Sequence, residues 1–344
     1  VRMSSGLNAV RRATYLGTSD YDVLHDVAVR PGDRRVIVAG VFGPGLMPTA
    51  DSAQATFGGG SSDGGLAIFA PDLTALEAMS YHGGSGADDL FRLWLDPTND
   101  AVVAAGWTKS ADLPGVTGGF QTTLGGGGDA HAVRFSSDLS QRIQTTYFGG
   151  SGDDFPNALV YDPVTDGLLV AGYTTSPTLP GASGTSQDQP GGAGDGFVVR
   201  IAADLRARGR ASFLGGSGSE SIYSMTVRND GRIVAVGPTE SLQFPGAPPI
   251  MYSTPTGSFL SSFPSDLLGP IRTTRFTLPA FDLRFTAVDV APGSNRACAA
   301  GHITGSLPAG SVPGFQRESG GGRDVLVVCT YEGDTWPVFR HGFE

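Results

Sequence analysis

The apolar residues of this chain fall into short runs that end at Gly, Pro, Asp or Asn. Residues 157–216 show four such runs in order, "NALVYDP", "GLLVAGY", "GFVVRIA" and "RARGRASFLGG". Each run has the length of a strand, alternates or is continuously apolar, and is bounded by turn residues. No window combines apolar residues at helical spacing with helix caps. The pattern predicts an all-β chain of short strands.

The same pattern recurs along the chain. "TYFGGSGDDFPNALVYDP" has counterparts that begin at Thr14, Ser80 and Ser212, and its aromatic residue recurs at a constant spacing as Tyr15, Tyr81, Tyr147 and Phe213. Phe276 takes this role in a fifth, degraded copy. Self-similarity at a fixed period indicates repeated supersecondary units.

Four antiparallel strands per repeat are typical of a β-propeller blade. The prediction is a five-bladed β-propeller built from these repeats, forming a single domain over residues 1–344. The repeats span approximately 14–79, 80–145, 146–211, 212–272 and 273–340. A β-solenoid is the structural alternative, but it would use shorter repeats and leave two ends to be capped.

The pattern "TYFGGSGDD…DP…VAGYT…LPG…GGGGDA" resembles the bacterial β-propeller repeat family called SBBP, from residue 14 to about 330. The family is named for a seven-bladed form, whereas this chain supplies five repeats. The fourth repeat has Gly257 but no glycine-acid turn there, and the fifth lacks the GGSG turn. The resemblance implies an exported or surface-exposed protein without a known biochemical activity.

Charge and hydropathy exclude some partners. The chain has 33 acidic and 23 basic residues, for a net charge of −10. Such a field repels phosphate backbones, so we expect no nucleic-acid partner. No apolar run is long enough to cross a bilayer as a helix, so no helical membrane span is expected.

The glycine-acid turns offer the main candidate site. Asp22, Asp88, Asp154 and Glu220 follow the repeat, and a propeller would place them in a ring around one axial mouth. The ring could bind Ca²⁺, which takes several oxygen ligands. The preferred interpretation is that each acid caps its own turn through backbone N–H groups, because a turn present in every blade is first a folding requirement. We therefore expect no cofactor, with Ca²⁺ as the alternative.

No catalytic signature is present. The chain lacks GxSxG and HExxH motifs, and its five histidines are scattered over different repeats. Five-bladed propellers include glycosidases with paired axial carboxylates, and such a set would be drawn from Asp22, Asp26, Asp88, Asp89, Asp154 and Glu220. Catalytic groups break repeat symmetry, whereas these acids follow it. The chain is therefore predicted not to be an enzyme.

Two further sites concern single repeats. Trp107 follows Gly106 at a strand end and is the candidate for stacking on a ligand, with packing as the alternative. Cys298 and Cys329 lie on predicted neighbouring strands of the fifth repeat, which predicts a disulfide if the protein is exported. Two buried free thiols are the alternative.

These observations favour a non-enzymatic secreted or cell-surface propeller, extracellular or periplasmic. It would act as a protein-interaction scaffold or an accessory subunit of a larger surface assembly. A carbohydrate-binding module and a carbohydrate-active enzyme are the alternatives. Loops between second and third strands, at 41–64, 107–128, 173–194, 238–257 and 302–323, differ most between repeats and would carry specificity.

Overall fold

The chain folds into β-strands throughout the part that can be described. The computed structural model describes residues 2–3, 6, 9–247, 256–276, 282–291, 294–304 and 323–330. Within these ranges there is no helix, and so no candidate for a helical membrane span. The strands form five main sheets and one two-stranded sheet. The all-β prediction is confirmed.

Each main sheet corresponds to one repeat, except that its fourth strand continues a few residues into the next repeat, and its strand order follows the chain. The two-stranded sheet pairs β1 (Arg2–Met3) with β2 (Val10–Arg12). The first sheet contains β3 (Val23–Val29), β4 (Val36–Phe42), β5 (Asp63–Phe69) and β6 (Leu76–His82). The second contains β7 (Asp88–Leu95), β8 (Val102–Thr108), β9 (Asp129–Phe135) and β10 (Arg142–Phe148). The third contains β11 (Asp154–Asp162), β12 (Gly167–Thr174), β13 (Asp195–Ala202) and β14 (Arg208–Leu214). The fourth contains β15 (Ser224–Val227), β16 (Arg232–Thr239), β17 (Gly257–Pro264) and β18 (Arg272–Phe276). The fifth contains β19 (Leu283–Val290), β20 (Ala297–Thr304) and β21 (Arg323–Cys329).

This arrangement of four-stranded antiparallel meanders, with a three-stranded last one, is consistent with a multi-bladed, β-propeller-like fold. The chain divides into two compact units, Val1–Leu159 with Ile201–Arg208, and Val160–Arg200 with Gly209–Glu344. The first and second sheets belong to the first unit. The fourth and fifth belong to the second unit, and the strands of the third sheet are shared between the units.

Neighbouring sheets bury their apolar faces against each other within each unit. In the first unit, Ile37, Leu66 and Ile68 of the first sheet share a core with Leu90 and Phe135 of the second. In the second unit, Val234, Val236 and Leu260 of the fourth sheet pack with residues of the fifth, including Leu283 and Phe285. Burial of these faces is the main stabilising contribution, since free energy scales with the apolar area removed from water.

The first strand of a repeat carries a β-bulge in three sheets. The register shifts between Leu24 and Asp26 in β3, between Leu90 and Arg92 in β7, and between Phe285 and Ala287 in β19. A bulge bends the strand and increases its twist. The extra residues of β3 and β7, His25 and Phe91, contact each other edge to face at 5.0 Å.

The turn between third and fourth strands is also repeated. Leu73, Leu139, Leu205 and Leu267 all have φ near 60°, a conformation that is unfavourable for a branched side chain. In each case the preceding Asp accepts a hydrogen bond from the backbone N–H two residues later. Burial of Leu139, Leu205 and Leu267 compensates for the strained backbone.

The sequence contains two segments, 8–17 and 335–343, that resemble the fourth strand of a repeat, and one of them would close the fifth blade. Val10–Arg12, from the copy at 8–17, pairs with Arg2–Met3. The second copy, 335–343, lies outside the described residues, as do parts of the predicted loops 238–257 and 302–323.

Candidate functional site

The glycine-acid turns that precede the first strands of the sheets are closed by hydrogen bonds to their own acids. Asp88 accepts hydrogen bonds from Gly84 N (2.7 Å), Ser110 Oγ (2.7 Å) and Thr108 Oγ1. Glu220 accepts from Gly216 N, Thr239 Oγ1 and Ser241 Oγ at 2.6 to 2.7 Å. These carboxylates thus hold the turn and tie it to the following strand and loop.

Asp154 and Asp22 make the same type of contact. Asp154 accepts from Gly150 N at 2.9 Å. Asp22 accepts from Thr18 N and Gly43 N. Asp282, at the equivalent place in the fifth repeat, instead pairs with Arg284 at 3.0 Å. Among the described residues, no three His, Cys, Asp or Glu side chains converge in a way that could hold a metal ion.

A second set of acids lies beside the first. Asp63, Asp129 and Asp195 begin the third strands of the first three sheets and are fully buried. One oxygen of each accepts a backbone N–H from its own glycine loop, at Gly58 (2.6 Å), Gly125 (2.6 Å) and Gly191 (3.0 Å). The other oxygen, Oδ1, is buried without a hydrogen-bond partner in all three cases.

The two sets meet as pairs across a glycine. A Cβ on Gly83 would collide with both Asp63 Oδ1 and Asp88 Oδ2. Gly149 lies in the same way between Asp129 and Asp154, and Gly215 between Asp195 and Glu220. Only glycine fits at these positions, because any side chain would occupy the space between the carboxylates. The sequence shows both turns but not their pairing, which joins the third strand of one repeat to the first strand of the next.

The pairs alter the acidity of their members. Burial raises the pKa of Asp63 to about 7, and the negative charge of Asp88 adds to the effect. Burial raises the pKa of Asp129 and of Asp195 to about 6, with contributions from Asp154 and Glu220 respectively. Burial also raises the pKa of Asp88, although its hydrogen-bond donors oppose the shift.

The other acids of the predicted catalytic set accept structural hydrogen bonds. Asp26 Oδ2 accepts a hydrogen bond from Leu93 N at 2.9 Å, which joins β3 to β7. Asp89 accepts one from Ser62 Oγ at 3.1 Å. These roles are structural.

Trp107 packs against a neighbouring ring. Its indole stacks on Phe155, with 5.0 Å between ring centroids and an interplanar angle of 14°. Lys109 Nζ lies 5.2 Å from the indole centroid. The ring face that stacks on Phe155 is therefore not available to a sugar.

Two histidines, one from the first sheet and one from the second, meet in the first unit. His82 and His131 are fully buried, with 5.3 Å between ring centroids. Arg142 Nε donates to His82 Nδ1 at 3.2 Å. Burial lowers the pKa of His131 to about 3, and it lowers the pKa of His82 well below its usual value, with Arg142 and His131 adding to that shift. The pair is neutral in the folded protein, and the Arg142 cation disfavours a metal ion there.

Within the first unit, one apolar face of the first sheet is not covered by another sheet. Leu24, Val27 and Val29 of β3 are 48%, 61% and 57% exposed. Their counterparts one repeat later in β7 include Leu90 and Leu93, which are 0% and 8% exposed against the first sheet. The exposed side chains line a groove of about 740 Å³ with Val36, Val38, Phe69 and Leu73. Sequence reasoning missed this groove because the strand pattern is the same in both repeats.

The two cysteines lie in the second unit. Cys298 of β20 stands opposite Cys329 of β21, and the two form a disulfide.

The chain was compared with known proteins. No family model matches it, and no curated protein does. Among solved structures, an N-acetylgalactosamine deacetylase from F. plautii in complex with blood group B trisaccharide is 11% identical with a TM-score of 0.37, covering 92% of this chain and 91% of that one. Chaetomium thermophilum Sqt1 is 12% identical with a TM-score of 0.33, covering 83% and 82%. The extracellular domain of a hybrid two component system from B. thetaiotaomicron is 8% identical with a TM-score of 0.32; 83% of this chain is covered, but only 38% of that one. At these TM-scores none of the similarities carries an argument about function.

Proposed function

We propose that the chain is a secreted or cell-surface protein of five propeller-type blades that works by binding a partner protein, as a scaffold or accessory subunit of a larger assembly. The partner docks on the exposed face of the first sheet. The propeller assignment is supported by the regular sequence repeat and by the packing of sheet on sheet within each unit.

The exposed face of the first sheet is the observation that carries this proposal. Soluble proteins rarely expose contiguous apolar patches, and large ones mark interaction sites. Leu24, Val27 and Val29 occupy positions that the second repeat buries between two sheets. A matching partner would present a sheet face of branched and small apolar residues, as the first sheet does to the second through Ile37, Ala39 and Ile68.

The remaining observations favour binding over catalysis. The acids of the glycine-acid turns are engaged in hydrogen bonds that stabilise the fold. The indole of Trp107 stacks on Phe155, so one of its two ring faces is not available for carbohydrate binding. The disulfide Cys298–Cys329 fits an oxidising compartment outside the cytosol.

The test is the double variant Val27→Arg/Val29→Arg, expressed with an affinity tag in the native source and cross-linked before purification. Both side chains are exposed, so the variant should fold with an unchanged melting temperature. We expect a cross-linked protein present with the wild type to be absent with the variant. Val164→Arg, at a position 62% exposed in the second unit, is the matched control. Equal recovery of the same partner with the double variant would contradict the proposal.

A further inference from the structure

At three junctions between consecutive repeats, two buried acids lie side by side. The pairs are Asp63 with Asp88, Asp129 with Asp154, and Asp195 with Glu220. Within the described residues, no salt bridge reaches Asp63, Asp129 or Asp195. Two buried like charges at short range are strongly unfavourable, so such pairs ionise one at a time or take up a cation.

The hydrogen bonds show which member of a pair stays charged. Asp88 and Glu220 each accept from one or more backbone N–H groups and from two hydroxyl groups, which stabilise an ionised carboxylate. Asp63 and Asp195 receive only backbone N–H groups on Oδ2, and their Oδ1 has no donor. A proton on Oδ1 would turn this orphaned acceptor into a donor that faces the partner carboxylate across the glycine.

We propose that Asp63, Asp129 and Asp195 are proton-binding sites: each carries a proton on Oδ1, joins its repeat to the next as a carboxyl–carboxylate pair, and weakens the fold when that proton is lost. Binding of the proton forms only the O–H bond, and the proton is taken up from water and released to it. The three sites are equivalent by repeat.

A divalent cation fits these sites less well. Ca²⁺ takes six to eight oxygen ligands, whereas each pair offers two carboxylates. The oxygens of Asp88 are already hydrogen-bonded to Gly84 N, Thr108 and Ser110, and these donors would have to turn away.

The charged and titratable surroundings support protonation. Asp63 faces Asp88 and the phenol of Tyr81. Asp129 faces Asp153, Asp154 and Tyr147. Asp195 faces Glu220, and Arg275 lies near enough to Glu220 to be affected by its charge. Apart from Arg275 these neighbours are acids and phenols.

The raised pKa values determine how the stability of the fold changes with pH. The pKa of each of the three acids is raised by burial, to about 7 for Asp63 and about 6 for Asp129 and Asp195, from an ordinary 3.8. The folded chain therefore binds more protons than the unfolded chain between these values. The stability that the sites contribute is fully present below pH 3.8 and is lost as the pH rises through 6 to 7.

The fourth repeat provides an internal comparison. Gly257 stands where the first three repeats have Asp63, Asp129 and Asp195. Asp282 of the next repeat then pairs with Arg284 rather than with another acid. The junction that lacks the second acid thus lacks the buried pair as well.

The experiment compares the wild type with the triple variant Asp63→Asn/Asp129→Asn/Asp195→Asn, which is neutral at every pH. Melting temperatures are measured between pH 5 and pH 8, and infrared spectra at pH 5 report the carbonyl band of protonated carboxyl groups. We expect the melting temperature of the variant, relative to the wild type, to rise by several degrees from pH 5 to pH 8. The triple variant should lose part of the carbonyl band that the wild type shows at pH 5. If the triple variant does not fold, Asp195→Asn alone should show the same changes at a smaller size.

The control is Asp72→Asn/Asp138→Asn/Asp204→Asn, which alters exposed turn acids of the same three repeats. It should leave the pH dependence between 5 and 8 and the infrared band unchanged. A constant difference between the triple variant and the wild type, together with an unchanged band, would overturn the proposal. So would a calcium-dependent rise of the wild-type melting temperature at pH 8 that the triple variant lacks, because it would place a metal ion in the pairs.

Discussion

The strands β3 and β7 have the same place in consecutive repeats and opposite surroundings. Both carry apolar residues at matching positions, Leu24 and Val27 in β3, Leu90 and Leu93 in β7. The residues of β7 are buried against the first sheet, whereas those of β3 are exposed. The difference teaches that an apolar strand pattern specifies a face to be covered, while the neighbouring sheet decides whether it is covered.

The aromatic residues before these strands differ in the same way. Tyr81 is 1% exposed, and its hydroxyl group accepts from Leu46 N and donates to Gly43 O. Tyr15, at the matching place one repeat earlier, is fully exposed. The contrast therefore extends from β3 into the segment that precedes it.

Leu90→Ala and Leu24→Ala should show the largest difference in stability between the two strands. Leu90 is fully buried, so its truncation should cost about 2–5 kcal/mol, whereas Leu24→Ala should cost less than about 1 kcal/mol. Urea unfolding of both variants checks this. Equal losses would show that the two faces are equally buried in solution.

His131→Phe tests a further difference between the first and second repeats through the pH dependence of stability. The third repeat has Phe197 at this place, and the first has Gly65. Because the pKa of His131 is lowered to about 3, its contribution to stability is present above pH 6.5 and lost as the pH falls. The variant should gain on the wild type below pH 6.5 by up to about 1.4 kcal/mol per pH unit. Unfolding at pH 5 and pH 8 tests this, and a gain that does not depend on pH would contradict a buried neutral imidazole.

Tyr81→Phe and Tyr15→Phe compare the preceding segments. Loss of the Tyr81 hydroxyl group leaves Leu46 N and Gly43 O without their partner, at a cost of about 1–3 kcal/mol. Tyr15→Phe should change the free energy of unfolding by less than about 0.5 kcal/mol. Chemical denaturation measures both, and a cost for Tyr15→Phe as large as for Tyr81→Phe would show that Tyr15 is packed.

Asp22→Ala and Asp88→Ala should each cost on the order of 1 kcal/mol, as expected for loss of a cap. Asp88 should cost more, because its removal also releases Thr108 and Ser110. Melting curves with calcium and with chelator provide the check on the capping role. A rise of several degrees with calcium, abolished by either substitution, would indicate a shared ion instead.

Much of the fold can be predicted from the sequence because the repeat shows which segments are equivalent. The strands and their order within each sheet follow from runs such as "GLLVAGY" and the turns that bound them. The acid pairs join different repeats, and the contact of His82 with His131 joins different sheets, so neither the period nor local spacing reveals them. The exposure of Val27 could not be predicted either, because it depends on which sheet covers the face rather than on the residues of β3.

Thiol labelling of variants with one added cysteine, at position 27 or at position 93, tests most directly whether the face of the first sheet is a docking surface. The native cysteines are held in a disulfide and do not compete for the reagent. We predict that Val27→Cys reacts rapidly in the isolated protein and is protected in the assembly from the native source, whereas Leu93→Cys is protected in both. An unreactive Cys at position 27 in the isolated protein would mean that the chain already covers this face, and equal reactivity in the assembly would mean that no partner docks there.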